Sequence, residues 1–180
     1  GSVYIKTHTR NIELLGGLIK SMPKTAVLFL IGSIAICGLP PFNGFISEFL
    51  IYLGMFKGLS IHNFSSVILI LFAIAGLALV GTMAVLCFSK AFSIIFLGMP
   101  RSASAQKVTR DCELSMILPM GFLALASLAI GVLPIFVFVL LLRPVSVLTP
   151  VMQYNILPTL SIVSVITLYA LAFLVFIGVL

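Results

Sequence analysis

The sequence contains no tryptophan and little charge: 8% of its 180 residues are charged, and only four are acidic. A soluble domain usually has about 25% charged and about 45–50% apolar residues. Because 62% of the residues here are hydrophobic, the composition excludes a soluble globular domain and indicates an integral membrane protein. The net charge of +6 therefore indicates orientation in the bilayer, and nothing in the sequence resembles a nucleic-acid-binding module.

Recognisable catalytic and metal-binding patterns are also missing. The three cysteines, Cys37, Cys87 and Cys112, are too far apart for a metal site. The sequence has no phosphate-binding glycine loop and no nucleophile–base pair. We therefore expect no catalytic residue, metal or cofactor in this chain, and any driving chemistry to take place elsewhere. The start at Gly1, without Met or a signal peptide, predicts the middle of a longer protein.

Apolar runs separated by short polar segments predict an all-α fold, a polytopic transmembrane helix bundle of about four spans. The run 25–39 would make about 22 Å of helix, which is shorter than the roughly 30 Å hydrocarbon core. We therefore predict one discontinuous span over 25–56. The predicted segments are a loop with a short surface helix (1–24, helix near 11–21), the discontinuous helix (25–56, broken at 40–43), a loop (57–65), a long helix (66–97), a loop (98–113), a helix (114–142), a proline-rich loop (143–158) and a last helix (159–180).

The basic residues are distributed unequally between the two predicted sides of the membrane. Cytoplasmic loops carry an excess of Lys and Arg, so the side with the larger number should be cytoplasmic. We therefore place loops 1–24 and 98–113 in the cytoplasm. That side holds seven bases against Lys57 and Arg143 on the other: Lys6, Arg10, Lys20, Lys24, Arg101, Lys107 and Arg110.

Glu48 is the most unusual residue, because ionisable groups inside a membrane span are costly and usually functional. It follows the predicted helix break formed by Pro40, Pro41, Asn43 and Gly44. A helix start near Gly44 would favour the ionised carboxylate, whereas desolvation would favour the neutral acid. A group balanced in this way can take up and release a proton. A structural ion pair and simple stabilisation of the helix start are the alternatives.

Lys90 is the one charge in the predicted long helix 66–97. It can extend its ammonium group toward the interface, or it can face the bundle interior and join a polar pathway. Single hydroxyls in membrane helices usually bond the preceding turn or a neighbouring helix, and we expect this of Ser33, Ser47, Thr82 and Ser89. We expect Gly76, Gly81 and Gly131 to permit close helix packing.

Several motifs resemble the antiporter-like membrane subunits of respiratory complex I, of multisubunit cation/proton antiporters and of group 4 hydrogenases. They are GSVY (1–4), THTRNIE (7–13), GGL (16–18) and MPK (22–24). LPPFNGFISE (39–48) is similar to the discontinuous helix of that family. The segments CFSKAF (87–92) and FLGMPRS (96–102) are most similar to the large membrane subunit of hydrogenase 4 and formate hydrogenlyase. The resemblance covers roughly residues 1–125.

The resemblance implies a function in proton translocation across a plasma membrane. It implies that Glu48 lies on a central hydrophilic axis and that Lys90 lies near a basic position of the following helix. The implied partners are other membrane-arm subunits and a peripheral redox arm, and only those partners would hold Fe–S clusters, NiFe or FMN. It further implies a C-terminal fragment that lacks the first half-channel.

Other interpretations remain open at this stage. The redox complex could be of the hydrogenase or the NADH dehydrogenase type, and this chain itself would be a non-catalytic membrane subunit of it. A sodium/proton antiporter subunit without a redox partner is a second interpretation. A third is a structural membrane protein in which Glu48 and Lys90 form a static pair.

Overall fold

The computed structural model describes residues 1–60, 63–134, 139–140 and 157–179. Within these ranges the regular structure is helical and contains no strand, which confirms the all-α prediction for this part of the chain. The predicted proline-rich loop at 143–158, including Arg143, lies outside the described residues except for its last two. The helices are α1 (Ser2–Thr7), a 3-10 turn (Ile12–Leu14), α2 (Pro23–Ile36), α3 (Asn43–Gly58), α4 (Phe64–Phe96), α5 (Ala103–Gln106), α6 (Leu114–Val132) and α7 (Leu157–Val179).

A non-helical segment of six residues, 37–42, separates α2 from α3. Gly38 has a φ of 66°, the left-handed conformation that commonly follows the end of a helix. Pro40 and Pro41 follow Leu39 and have no N–H group to continue helical hydrogen bonding. These residues therefore end α2, and the next helix begins only at Asn43.

Two helices of the described part are long and apolar enough to cross a membrane. They are α4, with 33 residues, and α6, with 19 residues. Helix α2 and residues 161–172 of α7 are apolar but shorter. Helix α6 ends at Val132, two residues before Pro134, in keeping with the restriction that a proline places on the residue before it.

The chain forms two compact units, of which the first comprises 1–37 and 76–125. Its core brings together the N-terminal segment, the end of α4 and the segment around α5. Phe29, Phe92 and Phe96 contact one another there, with ring centroids 5.3 to 6.5 Å apart. The buried members of the core are Leu15, Leu18, Met22, Ala26, Phe96, Ala105, Val108 and Cys112.

The N-terminal segment differs from the predicted loop with a surface helix near 11–21. Only the single turn Ile12–Leu14 is helical there. The chain then packs against the end of α4, where the Gly17 N–H donates to the Leu97 carbonyl (2.9 Å) and the Ile19 N–H donates to the Phe96 carbonyl (3.1 Å). These bonds satisfy carbonyls that a helix end leaves unpaired, so this segment is structural packing rather than a free loop.

The second unit comprises 38–75 and 126–180 and contains the helix break. Pro41, Phe42 and Ile46 are buried in it, although Asn43 at the start of α3 is exposed. The break is thus a packed element, and it positions the residues of the candidate site.

Candidate functional site at the helix break

Glu48 is the sixth residue of α3, and its side chain is half-buried. Side chains on an α-helix lean toward the N-terminus of the helix. The Glu48 side chain follows this rule, because its carboxyl group lies against Gly38 in the non-helical segment. The acid therefore contacts the helix break itself and not only the helix that follows it.

Gly38 leaves the space that this carboxyl group occupies. A Cβ atom built on Gly38 would lie 2.6 Å from Glu48 Cδ and 2.8 Å from Oε1, with Oε2 nearest of all. Real Cβ atoms essentially never approach another heavy atom within 3.0 Å. Nothing in the sequence distinguished Gly38 as a partner of Glu48, because the contact depends on the path of the chain between the two residues.

The second half of α6 packs against the same break. Ser127 Oγ donates a hydrogen bond to Asn43 Oδ1 at 2.6 Å. Gly131 is buried, and a Cβ atom there would collide with the Pro41 carbonyl and would lie 2.8 Å from the Phe42 carbonyl carbon. The break residues Pro41 and Asn43 are thus held by contacts from α6.

The expectation of close packing at glycine is confirmed for Gly131 only. At Gly76 and Gly81 no described atom lies within 4 Å of the position that a Cβ would take. Sequence reasoning assigned neither Gly131 nor Ser127 to the site, because both lie in an apolar run without a distinguishing motif. The structure therefore brings Gly38, Ser127 and Gly131 to the predicted residues Glu48, Pro41 and Asn43.

Lys90 lies in α4, in the first unit, and its side chain is exposed. Its carbonyl accepts a hydrogen bond from Ser93 Oγ at 3.0 Å. A functional link between Lys90 and Glu48 stays a prediction.

The four hydroxyls that the sequence analysis named in apolar helices all bond their own helix. Their acceptors are backbone carbonyls three or four residues earlier, at 2.8 to 3.2 Å. This confirms the expectation that hydroxyls in apolar helices bond the preceding turn. The four donors are Ser33, Ser47, Thr82 and Ser89.

Asp111 forms a second polar centre, in the first unit, at the start of α2. Its Oδ2 accepts hydrogen bonds from the backbone N–H groups of Lys24 (2.8 Å) and Thr25 (3.2 Å). Its Oδ1 accepts from the Thr25 hydroxyl (2.5 Å) and from the Cys112 N–H (2.8 Å). The first N–H groups of a helix have no partner within the helix, so Asp111 caps α2 from a distant part of the chain.

These contacts also determine the protonation of Asp111. Burial raises the pKa of this carboxyl group, but hydrogen bonds from the Thr25 side chain and from backbone N–H groups, first of Cys112 and then of Thr25 and Lys24, lower it by more. The pKa therefore lies below its ordinary value, and the carboxylate is ionised at neutral pH. This cap could not be predicted from the sequence, because Asp111 lies 87 residues from Lys24 and 86 residues from Thr25.

Across the described ranges no group of three or more His, Cys, Asp and Glu side chains is placed to hold a metal ion. Comparison with known proteins shows which proteins this chain is similar to. Residues 1–70 match the family described as NADH:quinone oxidoreductase/Mrp antiporter, TM. This part of the chain is therefore similar to a family of transmembrane proteins.

Individual relatives extend the similarity beyond residue 70. Formate hydrogenlyase subunit 3 of Escherichia coli is 40% identical over 109 residues, which are 61% of this chain and 18% of that protein. Hydrogenase-4 component B of Escherichia coli is 39% identical over 127 residues, 69% of this chain and 18% of that protein. Na(+)/H(+) antiporter subunit A1 of Staphylococcus saprophyticus is 32% identical over 136 residues, 74% of this chain and 17% of that protein.

These matches confirm the resemblance to antiporter-like membrane subunits that the sequence motifs indicated. The chain spans about a fifth of the length of the curated relatives it matches. The helix break and Glu48 lie within residues 1–70, inside the region that matches the family. The candidate site is therefore in the part of the chain that is similar to this family.

Proposed function

We propose that this chain is part of an antiporter-like membrane subunit that translocates protons in a redox-driven complex. Glu48 takes up and releases a proton at the helix break, and Lys90 biases that step electrostatically or extends the polar path. A peripheral redox arm and other membrane-arm subunits complete the complex, and those partners hold its Fe–S, NiFe or FMN groups. The chain itself contributes four spans in a plasma membrane, with loops 1–24 and 98–113 on the cytoplasmic side.

One observation carries this proposal: an acid inside an apolar region has its carboxyl group against a break in the helix. Ionisable groups at membrane depth are expensive and are associated with proton and ion pathways. Broken helices at that depth are tolerated where they line a cavity or are buried in protein. The packing of Pro41, Phe42 and Gly131 supports a break that the fold holds in place.

Broken helices also occur at the ion sites of many transporters, where unwound backbone and helix ends face the transported ion. The similarity of this region to the NADH:quinone oxidoreductase/Mrp antiporter family supports the same function. Because proton transfer requires heavy atoms within hydrogen-bond reach, about 2.6–3.2 Å or one water away, the position of the Glu48 carboxyl group should matter more than its charge alone.

The test uses the intact complex that contains the full-length subunit, purified and reconstituted into liposomes. Glu48→Gln removes the titratable proton and keeps the side-chain shape. We expect the number of protons moved per redox turnover to fall, while the control variant Glu13→Gln, at an exposed position, keeps the normal number. A Glu48→Gln complex that pumps at the wild-type ratio would contradict the proposed role of Glu48.

A second candidate function has a specific observation in its favour, the similarity to Na(+)/H(+) antiporter subunit A1 over 74% of this chain. In that case the subunit would exchange sodium for protons without a redox partner. Proton movement that requires sodium and continues without redox substrate would favour this antiporter. Proton movement that requires redox turnover and persists in sodium-free buffer would favour the first proposal.

A further inference from the structure

We propose that Gly38 is a positioning residue that sets where the Glu48 carboxyl group lies at the helix break. This inference rests on the proposed function only where it predicts an effect of Gly38 on proton translocation. The contact between Gly38 and Glu48 is a property of the structure. The two residues are ten positions apart in the chain, and the backward lean of the Glu48 side chain brings them together.

The Glu48 carboxyl group fills the space beside Gly38 that a side chain would need. The Glu48 carboxyl carbon lies 2.6 Å from the point where a Cβ would be, whereas ordinary van der Waals contacts of a Cβ begin near 3.4 Å. Any side chain at position 38 would therefore force the carboxyl group to retreat by roughly 1 Å. A displacement of about 1 Å at a reacting group can reduce a rate by about a hundredfold.

The φ of 66° at position 38 also favours glycine, independently of the contact with Glu48. Another glycine in the chain allows backbone strain and collision with a neighbour to be measured separately. Gly98 has a φ of 77°, yet no described atom lies within 4 Å of its Cβ position. Gly98→Ala therefore introduces backbone strain without a collision, and Gly38→Ala introduces both. Gly32, in helix α2 with the same open surroundings among described atoms, provides a control with neither effect.

The first experiment compares these three alanine variants in the intact reconstituted complex. We expect Gly38→Ala to lower the rate of proton translocation by about tenfold to a hundredfold. Gly98→Ala and Gly32→Ala should stay within about twofold of the wild type. If Gly38→Ala and Gly98→Ala have equal effects, backbone conformation alone explains Gly38, and the proposal is wrong.

The second experiment tests the contact by a double-mutant comparison. Glu48→Asp withdraws the carboxyl group by one methylene, about 1.5 Å, and so makes room for a methyl group at position 38. We expect Glu48→Asp to slow proton translocation by itself, and Gly38→Ala/Glu48→Asp to be about as fast as Glu48→Asp, because the methyl group no longer meets the carboxyl group. Independent effects would instead make the double variant slower than either single one, which would overturn the proposal.

Infrared spectroscopy gives a measurement that does not depend on pumping. The carboxyl band of Glu48 is identified by its loss in Glu48→Gln, and we expect its frequency to change in Gly38→Ala but not in Gly98→Ala. An unchanged band in Gly38→Ala would overturn the proposal even if translocation is slow. If Glu48→Gln pumps normally, the proposed function fails, while this band still decides whether Gly38 positions the carboxyl group.

If Gly38→Ala does not fold, recovery of the assembled complex tests the contact between Gly38 and Glu48 instead. Recovery of the assembled complex in Gly38→Ala/Glu48→Asp would support the collision, because only relief of the contact distinguishes the two variants. Failure of both variants to assemble, with normal assembly of Gly98→Ala, would overturn it.

Discussion

Replacing Asp111 by alanine should destabilise the first unit by roughly 2–4 kcal/mol. Loss of a helix N-cap costs about 1 kcal/mol. The Thr25 residue that Asp111 bonds is only 3% exposed, and a buried donor left without a partner costs about 1–3 kcal/mol more. Asp111→Ala removes the acceptor of four hydrogen bonds at once, so the effect should exceed that of a typical surface change.

The adjacent Cys112 gives a local assay. Its side chain is 7% exposed, and its thiol donates to the Ser2 carbonyl, so a labelling reagent reaches it only when this region opens. Because about 1.4 kcal/mol corresponds to a tenfold change in an equilibrium constant, Asp111→Ala should raise the labelling rate of Cys112 by about 30-fold or more. Mass spectrometry of the labelled peptide separates Cys112 from Cys37 and Cys87.

Two further variants make this assay specific. Thr25→Val removes the hydroxyl that donates to Asp111 and should raise the labelling rate by a smaller factor. Glu113→Gln, at an exposed acid two residues away, should leave it unchanged. A labelling rate in Asp111→Ala within twofold of the wild type would refute the role of Asp111 as a cap of α2.

The contacts of Asp111 and of the helix break lead to three more predictions. The pKa of Asp111 is lowered in the folded state, so the ionised carboxylate should stabilise the first unit fully above the unfolded value of about 3.9. This stabilisation should be lost as the pH falls below that value. The resulting rise in Cys112 labelling at acid pH should be absent in Asp111→Asn. Gly131→Ala should lower the free energy of unfolding by about 1–3 kcal/mol through overpacking, and equal thermal stability of Gly131→Ala and the open-space control Gly121→Ala would contradict this. Ser127→Ala should cost about 1 kcal/mol through its bond to Asn43, and an unchanged thermal midpoint would show that the bond does not stabilise the break.

The helix break illustrates what local sequence can predict. Pro40, Pro41 and Gly44 predicted an interruption, because proline and glycine act on the backbone of their own neighbourhood. The structure ends α2 at Ile36 and begins α3 at Asn43, close to the predicted break. The position of the Glu48 carboxyl group could not be predicted from neighbouring residues, since it depends on the turn of the chain between Gly38 and Asn43.

Contacts between distant segments account for the remaining differences. The cap of α2 by Asp111 joins residues 86 and 87 positions apart, and neither segment carries a signal for the other. The surface helix predicted near 11–21 is absent, because Gly16 and Gly17 have positive φ values and Leu15 and Leu18 enter the core. Tertiary packing in this segment overrides a helical tendency that was weak by itself.

Glu48 should change its protonation during turnover, and infrared difference spectroscopy of the working complex tests this most directly. Redox turnover should produce a carboxyl band that is present in the wild type and in Glu13→Gln and is absent in Glu48→Gln. If the difference spectra of the wild type and Glu48→Gln are identical in the carboxyl region, Glu48 carries no proton, and the account of this site is wrong.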